Sequence, residues 1–301
     1  MFIFAADKPY IGGYGDRIVG LVSCKVMADL LGRPFRILWT RENIRPYFKY
    51  DKYDYENELS YDAERLSLID NQTALKHTLM TSPTPLETKT FYLFNINNEI
   101  SQYLYKNPRF SKRDYYHDIF TTYRCLYKDI LVPTAQLMER VTRVVPSVIE
   151  GPVIGIQIRT GDVYIPNIQQ NTYRVMEDPA ALLPTLLGAI RRHIELTYPS
   201  YNVFLTSDYE AIYAIAKTVW DPSVLLYDSS PVQHLDRDAK GDISKLFVDS
   251  YILSQKTQAL YISECSNFGR VAALSSPHTH CFNLQCEPLT MRDLLSKHEK
   301  F

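Results

Sequence analysis

The residues best suited to chemistry stand just beyond short apolar runs. Arg159-Thr160-Gly161-Asp162 follows VIGIQI, Ser207-Asp208 follows NVFLT, Ser263 to Phe268 follows ALYI, and the glycine loop Gly12 to Asp16 comes after FIFAA. In open α/β sheets, ligands bind beyond the carboxyl ends of the strands, so these are the positions to read together. They supply one fixed cation in Arg159, several hydroxyls, carboxylates that can accept from sugar or base edges, and helix N-termini with backbone donors. That combination fits a nucleoside diphosphate, because a guanidinium forks onto phosphate oxygens and a helix N-terminus adds donors and positive dipole.

The common phosphate fingerprints are absent. In GGYGDRIVG the third position of a GxGxxG pattern is Ile18, which argues against a nicotinamide dehydrogenase, and Gly20 is followed by Leu21 where a P-loop needs its lysine. What is left at Gly13 and Gly15 is either a loop letting backbone approach a ligand or a tight strand-to-helix turn. Asp236-Arg237-Asp238 satisfies the DxD of metal-dependent glycosyltransferases, but it lies in the polar run LDRDAKGD, which reads as a solvated loop. His278, His280, Cys281 and Cys286 lack zinc spacing, since on a strand Cys281 would point away from the two histidines. No metal site is expected, and no serine sits in a GxSxG turn.

These residues need elements to hold them. Phe2 to Ala6, the glycine turn, an apolar repeat at Ile18, Val22, Val26 and Leu30, and Phe35 to Trp39 read as strand, helix and strand, with Gly32 as the C-cap glycine. From Arg41 to Lys128 the texture turns to tyrosine and charge with weak periodicity, and it reads as insertions and short helices. Clustered tyrosines either pack loops onto a core or offer flat faces to sugars. A helical pattern at Leu137, Val141 and Val145 runs into Pro146 and Pro152, a junction that places an N-terminal domain at 1–150 and a second at 151–301. The second domain alternates strands at 153–158, 202–206, 224–227 and 259–262 with helices at 180–196, 209–219, 242–255 and 268–274, the pattern of a doubly wound parallel sheet.

The 301 residues, 46% of them apolar, suffice for two cores. Lysine and arginine number 33 against 34 acidic residues, so no net field favours nucleic acid. No window approaches the roughly 18 apolar residues that span a bilayer, MFIFAAD lacks the features of a signal peptide, and five cysteines without a CxxC pair read as reduced thiols. A soluble, cytoplasmic chain is the expectation.

The set resembles the fucosyltransferase superfamily, which includes α1,6- and α1,2-fucosyltransferases and protein O-fucosyltransferases, and it is most similar to the α1,6 branch. The likeness is loose over 10–39 and good over 153–162, 203–208 and 249–274. It implies a GT-B-like α/β architecture, two Rossmann-like domains facing a cleft, with the Tyr-rich N-terminal domain on the acceptor side and the C-terminal one binding the nucleotide sugar. It also implies inverting transfer of L-fucose from GDP-fucose to a glycan hydroxyl, without a metal or other cofactor. The family arginine that holds the β-phosphate falls on Arg159 in IQIRTGD, and the acidic residue after the next strand on Asp208. In DSYILSQKTQALYISECSNFGRVAAL, Asp249 falls where the family accepts from guanine, and Ser266 and Asn267 where it donates to phosphates. Without the resemblance, Asp249 reads as a solvated helix residue. Gln157 stands where the family has histidine and Thr160 where it has a second arginine; the amide can still bond a purine. The glutamate that serves the α1,6 enzymes as acceptor base has no counterpart in YIPNIQQN, which leaves Asp16, Asp162 and Glu177 to be weighed. Two alternatives stay open, a non-catalytic nucleotide-sugar or glycan-binding domain and a transferase using another nucleotide sugar.

Overall fold

FIFAA, apolar at every position, forms a strand buried at every position, as a run without alternation should when both faces are covered. The computed structural model describes residues 1–7, 12–40, 42–55, 63–161, 176, 178–231, 242–277 and 280–296. The candidate residues Asp162, Glu177, Asp236, Asp238 and His278 lie outside them. The described residues form two compact units, Met1–Thr134 and Ala135–Lys300.

The first unit contains β1 (Phe2–Ala6), α1 (Tyr14–Leu30), β2 (Phe35–Trp39), β3 (Phe48–Lys49), β4 (Ala63–Ser67), α2 (Leu68–Thr81), β5 (Phe91–Asn95), α3 (Gln102–Tyr105), α4 (Tyr115–Arg124), a π-helical turn (Leu126–Ile130) and β6 (Val132–Pro133). Its main sheet has the order β2-β1-β5-β4, parallel throughout. The expected strand, helix, strand opening is present, and Gly32 takes the left-handed conformation after α1. Two expectations change. The Tyr-rich stretch holds half of this sheet, β4 and β5, together with the 14-residue α2. FYLFN and AERLS carry no sustained alternation, so neither stands out from its surroundings. And α1 is not one-faced: 14 of its 17 residues are buried, which makes it a central helix. Tyr50, Tyr53, Tyr55, Tyr92, Tyr123 and Tyr127 are buried, so these tyrosines pack the core rather than face a ligand.

The second unit contains α5 (Ala135–Val144), β7 (Val153–Ile158), α6 (Pro179–Thr197), β8 (Asn202–Ser207), α7 (Ile212–Val219), β9 (Leu225–Leu226), α8 (Ser244–Gln255), β10 (Ala259–Ile262), α9 (Asn267–Ser275), β11 (His280–Asn283) and α10 (Met291–Ser296). Its sheet has the order β11-β10-β7-β8-β9 and all pairs are parallel. This is the doubly wound order, reversing between β7 and β10. On one face, Ile154, Ile156 and Ile158 pack with Leu183, Leu187, Ile190 and Ile194 of α6. Each such buried aliphatic side chain stabilises by about 2 kcal/mol. On the other, Gly155 lets α8 close in, since a Cβ there would lie 2.9 Å from Leu253 of α8, as well as 2.7 Å from Leu260 of β10.

Candidate functional site

The carboxyl ends of β7 and β10 flank the point where strand order reverses, and there the second unit gathers its polar side chains. Gln157, the fifth residue of β7, has its side chain on the face of α9. Its Nε2 donates to Ser266 Oγ at 3.2 Å, while its Oε1 is buried without a hydrogen-bond partner. Gly269 makes this possible, because a Cβ on it would stand 2.4 Å from Gln157 Oε1. Ser266 precedes α9 but does not fold back as a side-chain cap.

Arg159 leaves β7 with its amide donating to Ser263 Oγ at 2.8 Å, a bond that ties the end of β7 to the loop after β10. Its side chain is 30% exposed, and Nε lies 4.0 Å from Asp208 Oδ2. Asp208, beyond β8, spends its carboxylate mainly on the backbone of the next loop. Oδ1 accepts from the amide and the hydroxyl of Thr160, at 2.6 and 2.9 Å, and Oδ2 from the amide of Gly161 at 2.9 Å. Gly161 has φ +111°, a conformation suited to glycine. Asp208 therefore sets the path of the loop that carries Arg159.

Asn267 opens α9, and its Oδ1 accepts from Arg270 Nη1 at 3.1 Å. Arg270 is itself buried and donates through Nε and Nη2 to the carbonyl of Leu294 at 2.9 and 2.7 Å, anchoring α10. Asp249, in α8, is 2% exposed, so it is not the solvated helix residue that position alone suggests. Its Oδ2 accepts from Thr206 Oγ1 at 2.6 Å and lies 2.9 Å from Lys245 Nζ. Burial pushes this carboxyl up, and Lys245 pulls it back.

Gln157, Arg159, Asp208, Ser266 and Asn267 thus cluster at one end of one sheet, with Asp249 joined to it through Thr206. Gly13, Gly15 and Asp16 belong to the other unit. Gly13 caps α1, and its amide donates to Asp16 Oδ2 at 2.8 Å, so one oxygen of this base candidate closes the helix start. Gly12, with φ +86°, fits there because a Cβ would lie 2.6 Å from that of Asp16. Arg17 is fully buried, with Nε donating to the Gly12 carbonyl at 3.0 Å and Nη1 to Glu42 Oε2. Sequence reasoning passed over Ser263, Thr206 and Lys245 as individual residues. The signal for Lys245 is its spacing, one helical turn before Asp249.

Among the described residues, no group of three His, Cys, Asp or Glu side chains is placed to hold a metal ion. Nor, among them, is any helix long and apolar enough to cross a membrane. The cysteines are free, with Cys265 exposed in the loop before α9.

By sequence, no protein-family model and no curated protein matches the chain. Solved structures do. FUT1 from Arabidopsis thaliana, an arginine-to-lysine mutant in complex with GDP, is 16% identical at a TM-score of 0.65, over 96% of this chain and 74% of that one. The fucosyltransferase NodZ from Bradyrhizobium is 16% identical at 0.61, over 95% and 96%. The chain has the fucosyltransferase fold. POFUT1 in complex with GDP-fucose, at 9% identity and a TM-score of 0.51, covers 94% of this chain and 96% of its own. At these identities the shared property is the fold, two α/β units each built on a parallel sheet, and the chemistry must be argued from the residues.

Proposed function

We propose that the chain is an inverting fucosyltransferase that moves L-fucose from GDP-fucose to a hydroxyl of a glycan acceptor. One observation carries the reading: Arg159 stands at the strand-order reversal of the second unit, tied to Ser263 and set beside the start of α9, in a fold shared with proteins solved with GDP and GDP-fucose. Ligands in doubly wound sheets bind at this crevice. We assign the donor nucleotide to the domain 151–301 and the acceptor to 1–150.

In the proposed reaction, an acceptor oxygen attacks the anomeric carbon of fucose as the bond to the β-phosphate breaks, and GDP leaves with the electron pair. Negative charge grows on that phosphate. A fixed guanidinium aimed at it stabilises the transition state more than the ground state. The chain supplies this stabilisation from Arg159, Ser266 and the start of α9, and no metal is required; turnover insensitive to EDTA is the expected result. Gln157 and Asp249 face the nucleotide base, and Asp16, Asp162 and Glu177 compete as the base that takes the acceptor proton.

A second reading, nucleotide-sugar binding without transfer, is favoured by Thr160. Where the family carries a second arginine, this hydroxyl donates to Asp208 and neutralises no phosphate. A thermal-shift panel of GDP-, UDP- and dTDP-sugars followed by a GDP-release assay separates the readings. Donor at 100 times its Kd stabilises by about 2.7 kcal/mol. Stabilisation by GDP-fucose with GDP release above background in the presence of glycans supports transfer. Stabilisation without release supports the binding domain, and a response to another nucleotide sugar alone overturns the donor.

A further inference from the structure

A lysine inside a protein is uncommon unless it is paired. Lys245 is 3% exposed. Its Nζ lies 2.9 Å from Asp249 Oδ2 and donates to the backbone carbonyl of Asp228 at 2.7 Å. The hydroxyl of Thr206 meets the same carboxylate oxygen at 2.6 Å. All of this happens at the ligand end of the sheet: Thr206 is the next-to-last residue of β8, and Asp228 follows β9 by two residues.

Asp249 is thereby held by one oxygen only. Oδ1 is buried and has no hydrogen-bond partner, although a buried carboxylate oxygen is costly to leave unpaired. A second orphan acceptor lies close by in the sheet, Gln157 Oε1, on the residue that pairs in register with Thr206. Acceptors without donors are what a ligand edge bearing N–H groups would satisfy.

We propose that Lys245 is a positioning residue for recognition of the donor's base: it grips Asp249 through Oδ2 and leaves Oδ1 as a fixed, ionised acceptor for ring N–H and amino donors. The proposal rests on the nucleotide-sugar reading and deepens it by naming what selects the base. A carboxylate that only accepts favours guanine, whose Watson–Crick edge presents N–H and NH₂ donors, over adenine, whose ring nitrogen on that edge is an acceptor. A protonated carboxyl would offer an O–H and lose that preference.

The surroundings of Asp249 explain why a cation is needed. Facing it are Lys245 from its own helix, Thr206 from β8, Asp228 beyond β9 and Tyr213 of α7. Burial pushes the Tyr213 phenol up to about 12, so it stays neutral at physiological pH. Asp228 raises Asp249 further, and its own Oδ1 accepts from the Ser230 amide at 2.8 Å. Lys245 therefore opposes both burial and a neighbouring carboxylate. Burial alone would lower Lys245, but the Asp249 charge holds it above its ordinary value.

The test compares wild type with Lys245→Met and with the double variant Lys245→Met/Asp249→Asn, which removes both charges at similar volume. Binding of GDP, ADP and UDP is measured from about pH 5.5 to about pH 9, and the Asp249 carboxyl is titrated by carbon NMR. In Lys245→Met the carboxyl should titrate at least one unit higher. GDP affinity should fall roughly tenfold at pH 7 and return at high pH, tracking that titration. The double variant should bind GDP weakly at every pH and lose its preference over ADP. Should Lys245→Met not fold, the double variant decides alone, and wild-type affinity in it overturns the proposal. An unmoved carboxyl, or a uniform loss of GDP affinity without pH dependence, also overturns it. A wild type that prefers UDP, with affinity that tracks the carboxyl in Lys245→Met, removes the guanine donor but keeps Lys245 as positioning residue; binding of none of the three removes both.

Discussion

Asp208 holds Thr160 twice through one oxygen, by the amide at 2.6 Å and by the hydroxyl at 2.9 Å, while its other oxygen takes the amide of Gly161. A carboxylate 4.0 Å from Arg159 Nε thus also shapes the loop on which Arg159 stands. Asp208→Asn tests this arrangement. An amide presents one oxygen and one NH₂, so one end must set a donor against a backbone donor. We expect a loss of about 2 kcal/mol in stability by chemical denaturation, together with a drop in turnover that exceeds any change in KM. Wild-type stability and turnover would show that the loop is held by something else.

Arg159 itself is predicted to act on the leaving group. Arg159→Ala should lower turnover by roughly a hundredfold or more, since it removes a donor aimed at developing charge. Arg159→Lys keeps the charge but not the planar fork and should fall between the two. Steady-state assays of GDP release measure both. Near-normal turnover in the alanine variant would remove Arg159 from the mechanism.

Much of the second unit was legible because its signals are local. VIGIQI, NVFLTS and ALYI are short apolar runs, each followed by polar residues, and parallel strands buried on both faces produce that pattern. The site candidates then followed from position, which is why Gln157, Arg159, Asp208 and Ser266 meet at one end of one sheet. The first unit was less legible for physical reasons. β4 is an edge strand with Glu64 and Arg65 in its sequence AERLS, and β5, FYLFN, has no alternation, whereas α1 was legible as a helix from its repeat at Ile18, Val22, Val26 and Leu30, a repeat that marks one face of a helix buried nearly all round. Lys245 and Thr206 escaped because their roles depend on contact across elements: a lysine one turn before an aspartate reads as an exposed pair until its burial is known.

Gly20 gives a prediction whose sign runs against helix propensity. In a helix, glycine to alanine normally stabilises by about 1 kcal/mol. At this position the added Cβ would lie 1.8 Å from the backbone carbonyl oxygen of Ile96, which follows β5. Backbone cannot rotate away as a side chain does, so α1 must shift from the sheet. Gly20→Ala should destabilise by about 2 kcal/mol or more despite the propensity gain. A higher Tm in the alanine variant would mean that α1 sits farther from Ile96.

Glu99 makes the last prediction, a dependence of stability on pH. It is fully buried among Ser23 and Ser101: Oε1 accepts from the Ser101 amide at 2.7 Å and from both hydroxyls, while Oε2 has no hydrogen-bond partner. Burial is the larger effect and pushes its carboxyl from the ordinary 4.5 up to about 7, against the lowering by the serine donors. The native state thus holds a proton that the unfolded chain releases at lower pH. Its contribution is fully present below about 4.5 and is lost as pH rises toward about 7. The full shift corresponds to about 3 kcal/mol. Glu99→Gln cannot ionise and keeps an oxygen for the Ser101 amide. Relative to wild type it should gain about 3 kcal/mol between pH 4.5 and pH 8, read as the difference of two denaturation series. A constant offset between the two proteins across that window would show that Glu99 titrates as an ordinary carboxyl.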